Sequence, residues 1–153
     1  MDKITENWKI LFADKKRFIV ELVKVGLGLL FMINLAIPFF RLTGGTLAQS
    51  YALDDYGGLW GLVALFFLAW LAYPVFLLMG MNKIAWFVYI GQAGVGGLMF
   101  LILLLTFFNV NAQINVHLSF GFFMYVIYVG LMFVIAFLEK PLLAMIEKSV
   151  GKK

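Results

Sequence analysis

The sequence predicts an all-α protein: an integral membrane bundle of four transmembrane helices with short amphipathic N- and C-terminal segments. Hydrophobic residues make up 64% of the 153, and charged residues 13%. That charged share is about half the usual one for a soluble domain. The apolar residues come in four long runs, about 18–40, 57–79, 84–108 and 114–138, rather than in amphipathic stripes. At ~1.5 Å per residue, a helix of ~20 to 25 residues crosses a hydrocarbon core ~30 Å thick. The runs use most of the chain, so residues 1–153 read as one membrane domain.

Residues 3–17 mix polar and apolar side chains. Ile4, Trp8, Leu11 and Phe12 recur at helical spacing among Lys3, Lys9, Lys15, Lys16 and Arg17. The pattern predicts an amphipathic basic helix in the membrane interface. The charged arm, with no small-residue cleavage site after the first apolar run, argues against a cleaved signal peptide. The first span is the weakest. Only 16 residues separate Lys24 from Arg41, and Asn34 and Pro38 are among them. The span is therefore expected to start near Phe18, with Glu21 and Lys24 reaching back to the headgroups or pairing with each other. Pro38 falls near its exit, where a lost backbone hydrogen bond matters least.

Residues 41–56 form the longest expected loop, with a turn at Thr43-Gly44-Gly45-Thr46. Asp54 and Asp55 stand just before the second span, where acidic side chains cap free amides and suit the helix dipole. Gly57 and Gly61 have small-x-x-x-small spacing on that span, and Pro74 is expected to kink it. The short turn Gly80-Met81-Asn82-Lys83 makes spans two and three antiparallel neighbours. The third span holds the densest set of small residues, including Gly91, Ala93, Gly94 and Gly97. Glycines there would weaken a helix in water by about 1 kcal/mol each. In a bilayer the backbone satisfies itself, and small residues admit a close neighbour. The Ala93–Gly97 face is therefore the expected packing centre.

Residues 109–115 read as an uncharged Asn/Gln-rich loop. On the fourth span His117, Gly121, Tyr125 and Tyr128 fall on one helical face. Glu139-Lys140-Pro141 is expected to end that span, and 141–150 to form a short interfacial helix.

Orientation follows from the basic residues. With four crossings and the N-terminus inside, eleven Lys and Arg lie on the cytoplasmic side and Arg41 alone outside. The positive-inside rule prefers that arrangement. Without the first crossing the split would be seven to five. The net charge of +4 thus reads as topology and contact with anionic headgroups at the cytoplasmic face, not as a nucleic-acid surface.

The chain has no cysteine, which excludes disulfide exchange, thiolate metal sites and cysteine nucleophiles. With a single histidine, a bis-histidine haem within one chain is excluded as well. His117 with Asp54 and Asp55 is a weak metal signal without a spacing motif, so no metal and no cofactor are expected. The intramembrane polar candidates are Asn34, Gln92, His117, Tyr125 and Tyr128. Amides inside spans either line a pathway or hold helices together, and holding is the commoner use. Between Val25 and Leu138 the only carboxylates are Asp54 and Asp55, in the outer loop. The acid on which proton-coupled transport usually depends is missing from that stretch. No nucleophile–base pair or phosphate-binding loop stands out. The expected function is therefore non-enzymatic: an accessory or interaction subunit in the bacterial inner membrane, partnered by another membrane protein or by itself. The alternative is a homo-oligomeric channel or small-solute transporter lined by Asn34, Gln92, Tyr125 and Tyr128.

Overall fold

The computed structural model describes residues 2–42, 50–51, 57–111 and 116–150, with side chains over 4–41, 58–109 and 117–139. Among them are five α-helices: α1 (Asp2–Ala13), α2 (Lys15–Asn34), α3 (Trp60–Leu78), α4 (Asn82–Asn111) and α5 (Phe120–Val150). Three short strands, β1 (Phe40–Leu42), β2 (Ser50–Tyr51) and β3 (Val116–Leu118), join in the order β2-β1-β3. Three segments are long and apolar enough to cross a membrane: Trp60–Leu78, Asn82–Asn109 and Phe120–Glu139. Helix α2 is 20 residues long but carries Lys15, Lys16, Arg17, Glu21 and Lys24.

The first helical break falls at Asp14. Its carboxylate accepts the Arg17 amide at 3.2 Å and caps α2, so the chain turns there instead of running into the first apolar stretch. Helix α2 then ends earlier than the expected 40. Ala36 and Ile37 donate to the carbonyls three residues back, at 3.2 and 3.0 Å, which tightens the last turn. Pro38 pushes Ile37 away from helical geometry and cannot donate itself. The chain therefore leaves through a turn and bends, and Phe40 enters β1.

The fourth span also starts later than expected, at Phe120 rather than 114. Residues Val116–Leu118 alternate apolar and polar, as a strand does, and pair antiparallel with β1: Phe40 opposite Leu118, Arg41 opposite His117. The Ser119 amide donates to the Phe39 carbonyl at 2.8 Å and completes the joint. His117 is therefore on a strand, and the expected helical face of His117, Gly121, Tyr125 and Tyr128 begins only at Gly121. At the other end α5 runs through Pro141 to Val150 without the expected stop. One missing N–H is not enough to break a helix this long. The expected turn at Thr43–Thr46 and the cap at Asp54 and Asp55 lie outside the described residues, as do the side chains of 141–150.

The α3–α4 turn is a Schellman motif. Met81 N donates to Phe76 O at 2.9 Å and Gly80 N to Leu77 O at 3.0 Å, with Gly80 at φ +77°. Helix α1 docks beneath it: the Asn7 amide donates to the Leu78 carbonyl at 3.1 Å. A Cβ on Gly80 would come within 2.8 Å of that amide nitrogen, so turn conformation and docking both select glycine. The bundle thus has an α1 end and a sheet end.

Aromatic rings fill the half of the core nearer the sheet. Phe31 stacks on Phe66 at 4.3 Å and touches Tyr125 at 4.8 Å; Phe39 meets Tyr125 edge-on at 5.5 Å. All four rings are essentially fully buried. They join α2, α3, α5 and the segment leading to β1 at one level, with the large contact area aromatic rings bring.

Candidate functional site: a buried ion-pair cluster and its cavity

Helix α2 buries one stripe: Glu21, Lys24, Leu27, Gly28, Phe31 and Asn34. Steps of three and four put these on a single face. Two charged residues share that face with the core, so they turn inward, not to the headgroups as expected. Lys24 is 3% exposed and Glu21 6%.

Lys24 is the hub. Its ammonium lies 3.4 Å from Glu21 Oε2 and 2.9 Å from Glu139 Oε2 on α5. The Tyr73 hydroxyl, from α3, donates to Glu21 Oε2. The Tyr73 and Tyr89 rings stand 5.6 and 5.5 Å from the Lys24 nitrogen, within cation–π range. Helices α2, α3, α4 and α5 thus each supply a group around one ammonium. A buried charge is tolerated only when paired and hydrogen-bonded, and removing one partner of such a pair typically costs ~3 to 5 kcal/mol. Glu21 and Lys24 do pair with each other, as expected. No sequence pattern points to Glu139, which stands at an expected span end more than a hundred residues away.

Beside the cluster lies a cavity of about 450 Å³. Glu21, Lys24 and Tyr73 form its floor, and Arg17, Asn82, Lys83, Trp86, Phe87, Phe137 and Glu139 stand around it. Arg17 Nη2 donates to Asn82 Oδ1 at 2.7 Å and ties α2 to the start of α4. The Trp86 indole donates to the Ala136 carbonyl at 3.2 Å and closes α4 on α5.

Of the other polar candidates, Asn34 and Tyr125 bond from one helix to another. Asn34 donates to the Gly121 carbonyl at 3.0 Å, and Tyr125 to the Gly96 carbonyl at 2.8 Å. Gln92 is buried against Gly28. Its Nε2, Asn34 Oδ1 and the Tyr89 hydroxyl have no hydrogen-bond partner among the described residues. Tyr128 is half-buried, and His117 is exposed at the sheet end opposite Arg41. Asp54 and Asp55 lie outside the described residues, so the His117 grouping has no geometry here.

The small residues divide into two sets. Ala93 is fully buried, and a Cβ on Gly97 would meet the Phe133 ring at 3.2 Å. Gly97 therefore packs on α5, not on α3. Gly61, Gly91 and Gly94 face outward, with nothing within 4 Å of an added Cβ, and Gly57 opens the 3-10 turn before α3. On α2, side chains from α3 and α4 pack tightly on Gly28. A Cβ there would lie 2.7 Å from Gln92 Nε2 and 3.0 Å from Trp70 Nε1. Trp70 holds its place by donating to the Val25 carbonyl at 2.9 Å.

Fold and site together define a helical bundle with three helices long and apolar enough to cross a membrane, whose buried charges meet at one end. Compared with protein-family models, with curated proteins and with solved structures, the chain matches none.

Proposed function

We propose that the chain is a four-span protein of the bacterial inner membrane, with both termini cytoplasmic, and that it acts by interaction as a non-enzymatic subunit of a membrane complex. The orientation of α2 supports the fourth crossing. Its charges beyond Arg17 face the core, and its outward face is Ile19, Leu22, Val23, Leu29, Leu30 and Ile33, each at least 43% exposed. Lipid would meet only aliphatic side chains along that face.

The observation that carries the interaction reading is an apolar groove of about 520 Å³ where α2 and α3 separate toward the sheet end. Met32, Leu35 and Ala36 form one wall, and Trp60, Val63, Ala64 and Phe67 the other. Exposed alanines on both walls allow close backbone approach, the feature on which membrane helix pairs depend. The occupant this groove suits is a transmembrane helix of a partner protein. A channel would have to form between copies, because Phe31, Phe39, Phe66 and Tyr125 fill the interior of one chain.

Photo-crosslinking residues at Ala36 and Ala64, with Leu101 on the opposite surface as control, test this in native membranes. The expected result is one and the same protein adduct from both groove positions and none from Leu101. Adducts to lipid alone would remove the interaction reading, and adducts to the chain itself would replace it with self-association.

A further inference from the structure

The α1-end cavity orders its charges in a way the ion pairs do not exhaust. Glu21 at the floor and Glu139 beside it share one ammonium, Lys24, which leaves one formal negative charge in excess. Glu139 is the carboxylate that faces the opening, with its side chain 17% exposed against 7% for Glu21. Arg17 and Lys83, two cations, stand on the lining nearer the turn. Arg17 sits one helical turn from Glu21 on α2, about 5 to 6 Å along that face. Beside the cations, Phe87 and Phe137 expose 66% and 64% of their surface.

We propose that this cavity binds a primary-amine phosphate, the headgroup chemistry of an ethanolamine phospholipid. The ammonium lies at Glu139 and the phosphate at Arg17 and Lys83. Three observations select that chemistry. The cavity's ~450 Å³ lies within the range of small-ligand sites. Its charges run from carboxylate at the floor to cation at the rim, so an anion alone would meet two carboxylates, and a quaternary amine has no N–H to give Glu139. The exposed rings of Phe87 and Phe137 offer the apolar part of a lipid a surface beside its headgroup. A free phosphoethanolamine shares the polar chemistry and leaves the rings unused. The proposal goes beyond the interaction reading and is independent of which side of the membrane the α1 end faces.

The test reconstitutes the full chain in phosphatidylcholine vesicles containing equal minor fractions of phosphatidylethanolamine and phosphatidylglycerol. After mild solubilisation, the retained lipid is quantified by mass spectrometry. Ethanolamine lipid should be enriched over its bulk fraction. Glu139→Gln should cut that enrichment about tenfold, the scale of one charge-assisted hydrogen bond. Because Glu139→Gln also disturbs Lys24, Lys83→Gln at the exposed rim provides a second variant, and it should weaken retention without altering the melting temperature. Retention of the lipids in bulk ratio, or enrichment of phosphatidylglycerol, overturns the proposal. So does an ethanolamine enrichment that both variants leave unchanged. Soluble O-phosphoethanolamine is the second arm: if it raises the melting temperature while no ethanolamine lipid is enriched, the source is a free solute and the lipid assignment fails.

Discussion

Gly28 shows how much one hydrogen atom decides. It sits in the least apolar long helix, outside every cluster of small residues in the sequence. Yet Trp70 and Gln92 press on it from α3 and α4, and a Cβ would overlap both. Gly28→Leu should therefore destabilise the bundle by roughly 1 to 3 kcal/mol, the usual scale for overpacking a tight core. Two residues earlier, Gly26 has nothing within 4 Å of an added Cβ. Gly26→Ala should leave the melting temperature in detergent unchanged or slightly raised, since alanine is the better helix former. Equal gains in the two variants would show that helix propensity, not contact, governs this helix.

At the scale of elements, Gly97 joins α4 to α5. Its neighbour is the Phe133 ring, at 3.2 Å from an added Cβ. Gly97→Leu should push those two helices apart while the α3–α4 hairpin, closed by its Schellman turn, keeps its geometry. Engineered cysteine pairs measure this cleanly in a chain without native cysteine. Cross-linking between α4 and α5 should fall, and cross-linking between α3 and α4 should persist. The opposite pattern would return the packing centre to the α3 side. Insertion itself should be unaffected, because the substitution raises hydrophobicity.

For the whole molecule, the decisive quantity is the number of crossings. Reporter fusions after Lys83 and after Lys153 should both report cytoplasm, and a fusion at Gln49 the outside. An outside signal at Lys153 would remove the four-span proposal. The same scale shows why a hydropathy window passes over α2. Charge is averaged around the helix in such a window, whereas the bundle sorts it: Glu21 and Lys24 go inward, and the aliphatic residues go out.

The sequence by itself determined the helical class, the membrane-compatible length of three helices, the tight α3–α4 connection and the placing of Asn34, Gln92 and Tyr125 near or inside apolar helices. These follow from local periodicity and from the cost of leaving polar backbone unsatisfied in an apolar medium. It also flagged Glu21 and Lys24 as a possible pair. Only the tertiary structure decided where they point. Their third partner, Glu139, comes from a distant helix, and nothing in a one-dimensional pattern links the two positions. The sheet had the same origin. Val116–Leu118 is apolar enough to continue a helix, and it becomes a strand because β1 lies beside it and offers backbone partners. Within the glycine-rich stretch of α4, Ala93 and Gly97 face neighbours while Gly91 and Gly94 face outward, and Gly28 packs tightly outside that stretch, for a similar reason. A small residue permits close approach, but whether a neighbour comes close depends on side chains, such as Trp70 and Phe133, that the local sequence does not contain.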